Sequence, residues 1–370
     1  MSDGLATKIR FTMKKIKIKP EACTEIDPKK LAEVANLTYV NNFKHGITRE
    51  RKGKQFIYKD SNGKVIIDSN EIKRIQALAI PPAYTDVWIC PSFNGHIQAT
   101  GRDAKGRKQY RYHALWKEVS DETKYGKMIA FAQALPTIRK RIKRDLSLTE
   151  MSKEKILAVV VYLLEMTLIR VGNEAYAKEN NSFGLTTLQN RHVSIEGTKM
   201  TFKFFGKSGK QHTITLYDKR LAKIVRRCKD LPGQELFEYM DENAMPVSIS
   251  STDVNEYLRM ITNDHFTAKD FRTWAGTVLT VFALQEFEHF DSHAQAKRNI
   301  VQAIEKVAKK LGNTPAICRK SYVHPEVFNA YLDQTLFKMT KHPSKKSVDL
   351  VMELSFEETY VLNFLKKRMK

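Results

Sequence analysis

The chain has 370 residues, 42% hydrophobic and 10% aromatic, a globular composition with room for two or three domains that each bury a core. Sixty-three Lys and Arg against 41 Asp and Glu leave a formal charge of +22, a field that attracts polyanions and nucleic acid above all. The longest apolar run, residues 158–164, stops at Glu165, so a membrane-spanning segment is excluded.

In chain order, the first 20 residues are basic but broken by Lys14, Lys15, Lys17 and Lys19, and are not expected to act as a secretory leader. Residues 1–115 read mainly as short strands and turns. IYKDSNGKVI (57–66) carries Asn62-Gly63, the pair that closes a tight hairpin. TDVWICPSFNGHIQAT (85–100) gives two further strands around Asn94-Gly95. GRDAKGRKQYRYH (101–113) follows, with five basic residues and two tyrosines in thirteen positions. It reads as a strand or loop entering a DNA groove, with Arg102, Lys105, Arg107 and Lys108 on phosphates and Gln109, Tyr110 and Tyr112 near bases or sugars. A solvated basic edge strand is the alternative.

The polar stretch SDETKYGKM (120–128) marks a boundary, giving domains 1–122 and 123–370. Both are basic, with 23 cations against 14 anions and 40 against 27, as a two-part clamp on a duplex requires. Helices dominate the second part. Residues 153–171 are apolar enough for a largely buried helix ending in Leu168-Ile169-Arg170. A three-strand meander comes next (HVSIE, KMTFKFF, HTITLYD), with turns at Glu196-Gly197 and at 206–209, where Lys207 projects. TAKDFRTWAGTVLTVFAL opens on the capping pattern Thr267-x-x-Asp270 and puts Arg272 in a first helical turn, where backbone N–H groups favour an anion. DSHAQAKRNIVQAIEKVAKKLG stops at Gly312, and LGNTPAICRKSYVHP (311–325) then presents Tyr322. Cys23, Cys90, Cys228 and Cys318 lie far apart with no CxxC pair, and read as reduced thiols of a cytoplasmic protein.

Several chemistries are missing. No two aspartates stand two apart, GKSGK (206–210) lacks the spacing of a phosphate loop, and HExxH and GxSxG do not occur. A DNA enzyme built from this chain is expected to work without bound metal or ATP. Phosphoryl transfer then needs an in-line nucleophile, cations on the equatorial oxygens and an acid for the leaving oxygen. Arginine forks suit the oxygens, a lysine suits the acid, and a tyrosine in a cationic surround suits the nucleophile. Arg170, Lys207 and Arg272 are candidates. Each also has a bland reading: Arg170 paired with Glu174, Lys207 solvated on its turn, Arg272 paired with Asp264 or Asp270. Spacing alone does not bring them together.

At these residues the sequence resembles the type IB DNA topoisomerases in their short bacterial and poxviral form. Five blocks in order carry the resemblance over nearly the whole chain: residues 101–113, LIRVGNEAYAKENNSFGLTTLQNRHV (168–193), FFGKSGK (204–210), KDFRTWAGT (269–277) and residues 311–325. The resemblance implies an α+β fold: a small N-terminal antiparallel β-sheet domain and a larger, mainly α-helical catalytic domain with a three-stranded sheet, together forming a clamp around DNA. It implies that Tyr322 forms a 3′-phosphotyrosyl link, that Arg170 and Arg272 hold the scissile phosphate, and that Lys207 is the general acid. Asn313 stands where eukaryotic and poxviral members carry histidine, so neutral hydrogen bonding replaces a charge there. His324 is the alternative source of an imidazole. Gln109, Tyr110 and Tyr112 become DNA contacts, and Tyr176 a support for the phosphate site. The implied activity is relaxation of positive and negative supercoils of double-stranded DNA by a monomer, with no metal or other cofactor, in the cytoplasm at the nucleoid. A tyrosine recombinase uses a similar Arg–Lys–Arg–Tyr set, but usually has H-x-x-R where this chain has Lys269-Asp-Phe-Arg272. A non-enzymatic DNA-binding protein would account for the charge alone.

Overall fold

The structure is a computed structural model that describes residues 28–40, 45–53, 55–287, 290–338 and 354–369. Cys23 and the lysines before residue 20 lie outside these. The chain divides into two compact units, Met1–Gly126 and Lys127–Lys370.

The first unit contains α1 (Pro28–Val34), β1 (Ile47–Lys52), β2 (Gln55–Lys59), α2 (Ser69–Ala77), β3 (Thr85–Ile89), β4 (Ile97–Arg102), β5 (Lys108–Tyr112) and the start of α3 (Ala114–Leu146). Its five strands form one antiparallel sheet in the order β2-β1-β3-β4-β5. Ile75 of α2 packs on Ile47, Val87, Ile89 and Ala99 of the sheet. Each large apolar side chain so buried contributes roughly 1.5–3 kcal/mol.

Two expectations are corrected here. The unit holds two helices, α1 and α2, where strands and turns were read. The hairpin is β1–β2 around Gly53, and the Asn62-Gly63 turn closes only a single bridge, Lys59 to Val65. That turn is held by Asp60, whose Oδ1 accepts from the backbone N–H groups of Asn62 and Lys64, 2.9 Å each. Beyond it Asp68 caps α2, so the chain turns helical before a second arm can extend. The polar stretch 120–128 is helical throughout, inside the 33-residue α3, and the division between the two units falls within it. Met128, Phe131, Leu135, Ile138 and Ile142 are buried along one stripe of α3, which makes it an amphipathic helix with polar residues between.

The second unit contains the rest of α3, then α4 (Lys153–Thr167), α5 (Glu174–Asn180), β6 (Val193–Glu196), β7 (Lys199–Gly206), β8 (Lys210–Tyr217), α6 (Lys219–Lys229), β9 (Glu238–Met240), β10 (Pro246–Ser248), α7 (Ser251–Thr262), α8 (Ala268–Gln285), α9 (His293–Leu311), α10 (Pro315–Tyr322), α11 (Pro325–Leu332) and α12 (Phe356–Arg368). The meander is present as the antiparallel sheet β6-β7-β8. Helix α8 is the hub, packing on α4, α9, α10, α11 and α12. A buried ion network fixes it: Arg139 bridges Glu165 and Glu358, and Trp274 of α8 donates to Glu358 at 3.0 Å.

Cys90, Cys228 and Cys318 are free and buried. Burial pushes the Cys228 thiol up to about 12 and that of Cys318 up to about 11, which leaves both unreactive at neutral pH. Among the described residues no helix is long and apolar enough to cross a membrane.

Candidate active site

Helix α4 ends earlier than its apolar pattern suggests. Leu168 takes a left-handed conformation (φ 55°) as its C-cap, so Arg170 sits in the loop beyond the helix and not at its end. The loop is fixed by the segment after α5: Thr186 donates to the Val171 carbonyl through both backbone N–H (2.7 Å) and Oγ1 (3.0 Å), and Leu185 N–H donates to the Arg170 carbonyl (2.9 Å). Arg170 Nη2 donates to Asn313 Oδ1. It does not take Glu174, which pairs with Lys178.

Arg272 is the fifth residue of α8, past the four unpaired N–H groups of the first turn, and is 3% exposed. The capping box of Thr267 and Asp270 is present, and Asp270 pairs with Lys127 instead of Arg272. Arg272 donates instead to two backbone carbonyls, those of Leu168 at the C-cap of α4 and Leu311 (2.8 Å) at the last residue of α9. These are unpaired carbonyls at the negative ends of two helix dipoles, and they offset the cost of burying the charge.

Tyr322 is the last residue of α10, with the Arg272 guanidinium carbon 5.1 Å from its ring centroid. Gly276, one turn after Arg272 on the same face of α8, makes room: a Cβ there would lie 2.5 Å from the Tyr322 carbonyl oxygen and 3.1 Å from its Cβ. Burial alone would raise the phenol's pKa. The charge of the adjacent Arg272, with those of Arg170 and Lys269, outweighs it, leaving Tyr322 below the ordinary tyrosine value.

Lys207 stands exposed at the β7–β8 tip and lines the same small cleft as Arg170 and Arg272, together with His212 and Lys310. The structure thus forms two contacting pairs, Arg170 with Asn313 and Arg272 with Tyr322, and places Arg170, Arg272 and Lys207 on one cleft. Among the described residues, two buried donors here lack an acceptor, Arg272 Nε and Asn313 Nδ2. The Asn313 amide cannot be turned over, because its oxygen must face the donor-only Arg170. Each such orphan costs roughly 1–3 kcal/mol, which an acceptor brought to it would offset.

Sequence reading missed His212, Lys269, Lys310 and Gly276. Lys269 could have been found, since it lies three before Arg272 on one helix face, and a glycine inside a helix, like Gly276, signals close packing. His212 and Lys310 give no local signal. His324 is buried, its Nδ1 accepting from Glu326 N–H as the cap of α11.

In the first unit, residues 101–113 form the β4–β5 hairpin. Asp103 organises its turn, accepting at Oδ2 from Arg107 (2.9 and 2.6 Å) and Gln109 (3.0 Å). The Arg107 bonds, with backbone N–H groups, hold the Asp103 carboxyl down at about 2. Arg102 bonds the Gly106 carbonyl and pairs with Asp86, while Lys105 is exposed on the turn. Strand alternation places Lys108, Tyr110 and Tyr112 on one face, with the two tyrosine rings 5.9 Å apart, and Gln109 on the other. Tyr176, on α5, is 54% exposed, and its hydroxyl has no hydrogen-bond partner among the described residues.

Comparison with known proteins adds the following. Residues 113–348 match the family model described as the catalytic core of eukaryotic DNA topoisomerase I, and residues 55–103 match that of the N-terminal domain of bacterial DNA topoisomerase IB. The chain is 30% identical to DNA topoisomerase 1B of Acanthamoeba polyphaga mimivirus over 316 residues, 84% of this chain and 94% of the relative. It is 24% identical to the vaccinia virus (strain Copenhagen) DNA topoisomerase 1B, over 81% of this chain and 94% of that protein. The DNA topoisomerase 1 of Schizosaccharomyces pombe is 28% identical over 43% of this chain and 19% of its own length.

Proposed function

The chain belongs to the type IB DNA topoisomerases and is thus a DNA-binding isomerase; on that premise we propose that Tyr322 cuts one strand of duplex DNA by transesterification. Its oxygen attacks phosphorus in line. The new P–O(Tyr) bond forms as the P–O5′ bond breaks, the phenolic proton passes to solvent, and the Lys207 ammonium protonates the departing O5′. Arg170, Arg272 and Asn313 hold the non-bridging oxygens as charge grows on them. The freed strand rotates, relaxing supercoils of either sign. The 5′-hydroxyl then attacks the phosphotyrosine, returning its proton to Lys207, and the departing phenolate regains a proton from solvent. Every cleaved ester is replaced by another, so neither ATP nor a bound metal is required.

The observation that supports this most is the guanidinium of Arg272 packed on the Tyr322 ring at 5.1 Å, beside two buried donors that await an acceptor. Residues 1–122 would serve as the DNA-binding domain and 123–370 as the catalytic one, closing on the duplex as a clamp. Arg102, Lys105, Arg107 and Lys108 would meet phosphates, with Gln109, Tyr110, Tyr112 and Tyr176 as further contacts. The protein would act as a monomer. The test is relaxation of supercoiled plasmid in EDTA without ATP. Wild type should relax it, whereas Tyr322→Phe should bind DNA and leave it supercoiled. Relaxation by both, or by neither, would sink the proposal.

A further inference from the structure

His212 belongs to no step above, yet its ring touches the backbone on both sides of the cleft. It faces Phe204 across the β7–β8 pair and stacks on it, with centroids 5.1 Å apart and planes 16° apart. A Cβ on Gly206 would lie 2.7 Å from the imidazole, and one on Gly312 would lie 2.5 Å from it. Those two glycines immediately precede Lys207 and Asn313. Gly312 is left-handed (φ 63°) and needs to be glycine for that reason alone, but Gly206 is extended (φ −99°, ψ −166°), where any residue fits. The approaching ring leaves no room for a side chain at 206.

We propose that His212 is a positioning residue: a flat spacer that braces the Gly206 end of the hairpin against the Gly312 end of α9 and so fixes where Lys207 stands over the cleft. This rests on the reading of Lys207 as general acid. Burial, followed by the charges of Arg170, Lys210 and Arg272, disfavours protonation of the imidazole, in keeping with a neutral spacer.

The experiment is single-turnover cleavage at a site mapped on a plasmid fragment. It uses two duplexes: one unmodified, and one whose scissile 5′-bridging oxygen is sulfur. A thiolate leaves without being protonated, so a defect in proton donation disappears on the sulfur duplex. Lys207→Ala tests the underlying reading by itself: it should be slow on oxygen and near wild type on sulfur, and failure to recover would overturn the general-acid role. His212→Ala should lose roughly 10- to 100-fold on oxygen, the scale of a ~1 Å misplacement, and recover most of it on sulfur. His212→Gln, which keeps bulk beside both glycines, should lose less. If Lys207→Ala recovers but His212→Ala is equally slow on both duplexes, or is not slowed, the spacer is wrong. Should thermal melting show the alanine variant unfolded, His212→Gln carries the same comparison, and slowing that persists on sulfur overturns the proposal.

Discussion

Arg107, on the N-terminal hairpin, is held half-buried at the surface by Asp103, whereas Arg272, inside the helical unit, rests on the carbonyls of Leu168 and Leu311. On the proposed reading both would meet phosphate, but by different physics. A pair at the surface is weaker and more screened by salt than a buried one, so phosphate can replace its carboxylate at lower cost. A buried guanidinium bonded to fixed dipoles cannot reorganise, and it is preorganised for charge that develops in one place. The first arrangement suits binding anywhere along a duplex; the second suits chemistry at one ester.

Altering the buried partner should give the largest effect. Arg272→Lys keeps the charge, but its single ammonium cannot span both carbonyls and still donate to an anion. Single-turnover cleavage should fall by about 10²–10³-fold with DNA affinity little changed. A loss below tenfold would show that charge alone suffices. Next comes Gly276→Ala, which pushes α10 off α8 and the phenol away from Arg272. Cleavage should drop by roughly 10- to 100-fold, read in the same assay.

The exposed side should respond through salt instead. Arg107→Ala should weaken binding a few-fold and flatten the dependence of log K on log salt by about one phosphate contact, leaving the cleavage rate of bound DNA unchanged. The smallest effect belongs to Asp103→Asn, which removes a competing carboxylate and should tighten binding about two-fold. It also has a pH signature. The folded carboxyl is depressed to about 2, so what its pairing contributes is fully present above the unfolded value of about 3.9 and is lost as pH falls through 2. Any melting difference between wild type and Asp103→Asn should therefore close between those limits. A difference that grows on acidification would reverse the assignment.

The parts legible in the sequence were those governed by neighbours in the chain. The β6–β8 meander, the Lys207 tip, the Thr267–Asp270 cap and the Gly312 stop are all set within a few residues. The polar residues of 120–128 gave no cue that α3 runs through the division between the units, because charged residues that form helices well are also common between domains. The Asn62-Gly63 signal was real as a turn, but which strand pairs with β2 is not encoded locally. Burial of Arg272 could not be foreseen, since its acceptors lie 104 and 39 residues away. The same holds for His212, which meets Gly312 only after the hairpin folds onto the end of α9.

The two carbonyls under Arg272 belong to Leu168, two residues before Arg170, and to Leu311, two before Asn313. One guanidinium therefore fastens the junction of three helices and sets the places of two further groups of the site. On the proposed mechanism, selection for heat tolerance and selection for turnover act on the same atoms at position 272, so a mutant library should find the two traits inseparable there. At exposed Lys207 they can be traded independently.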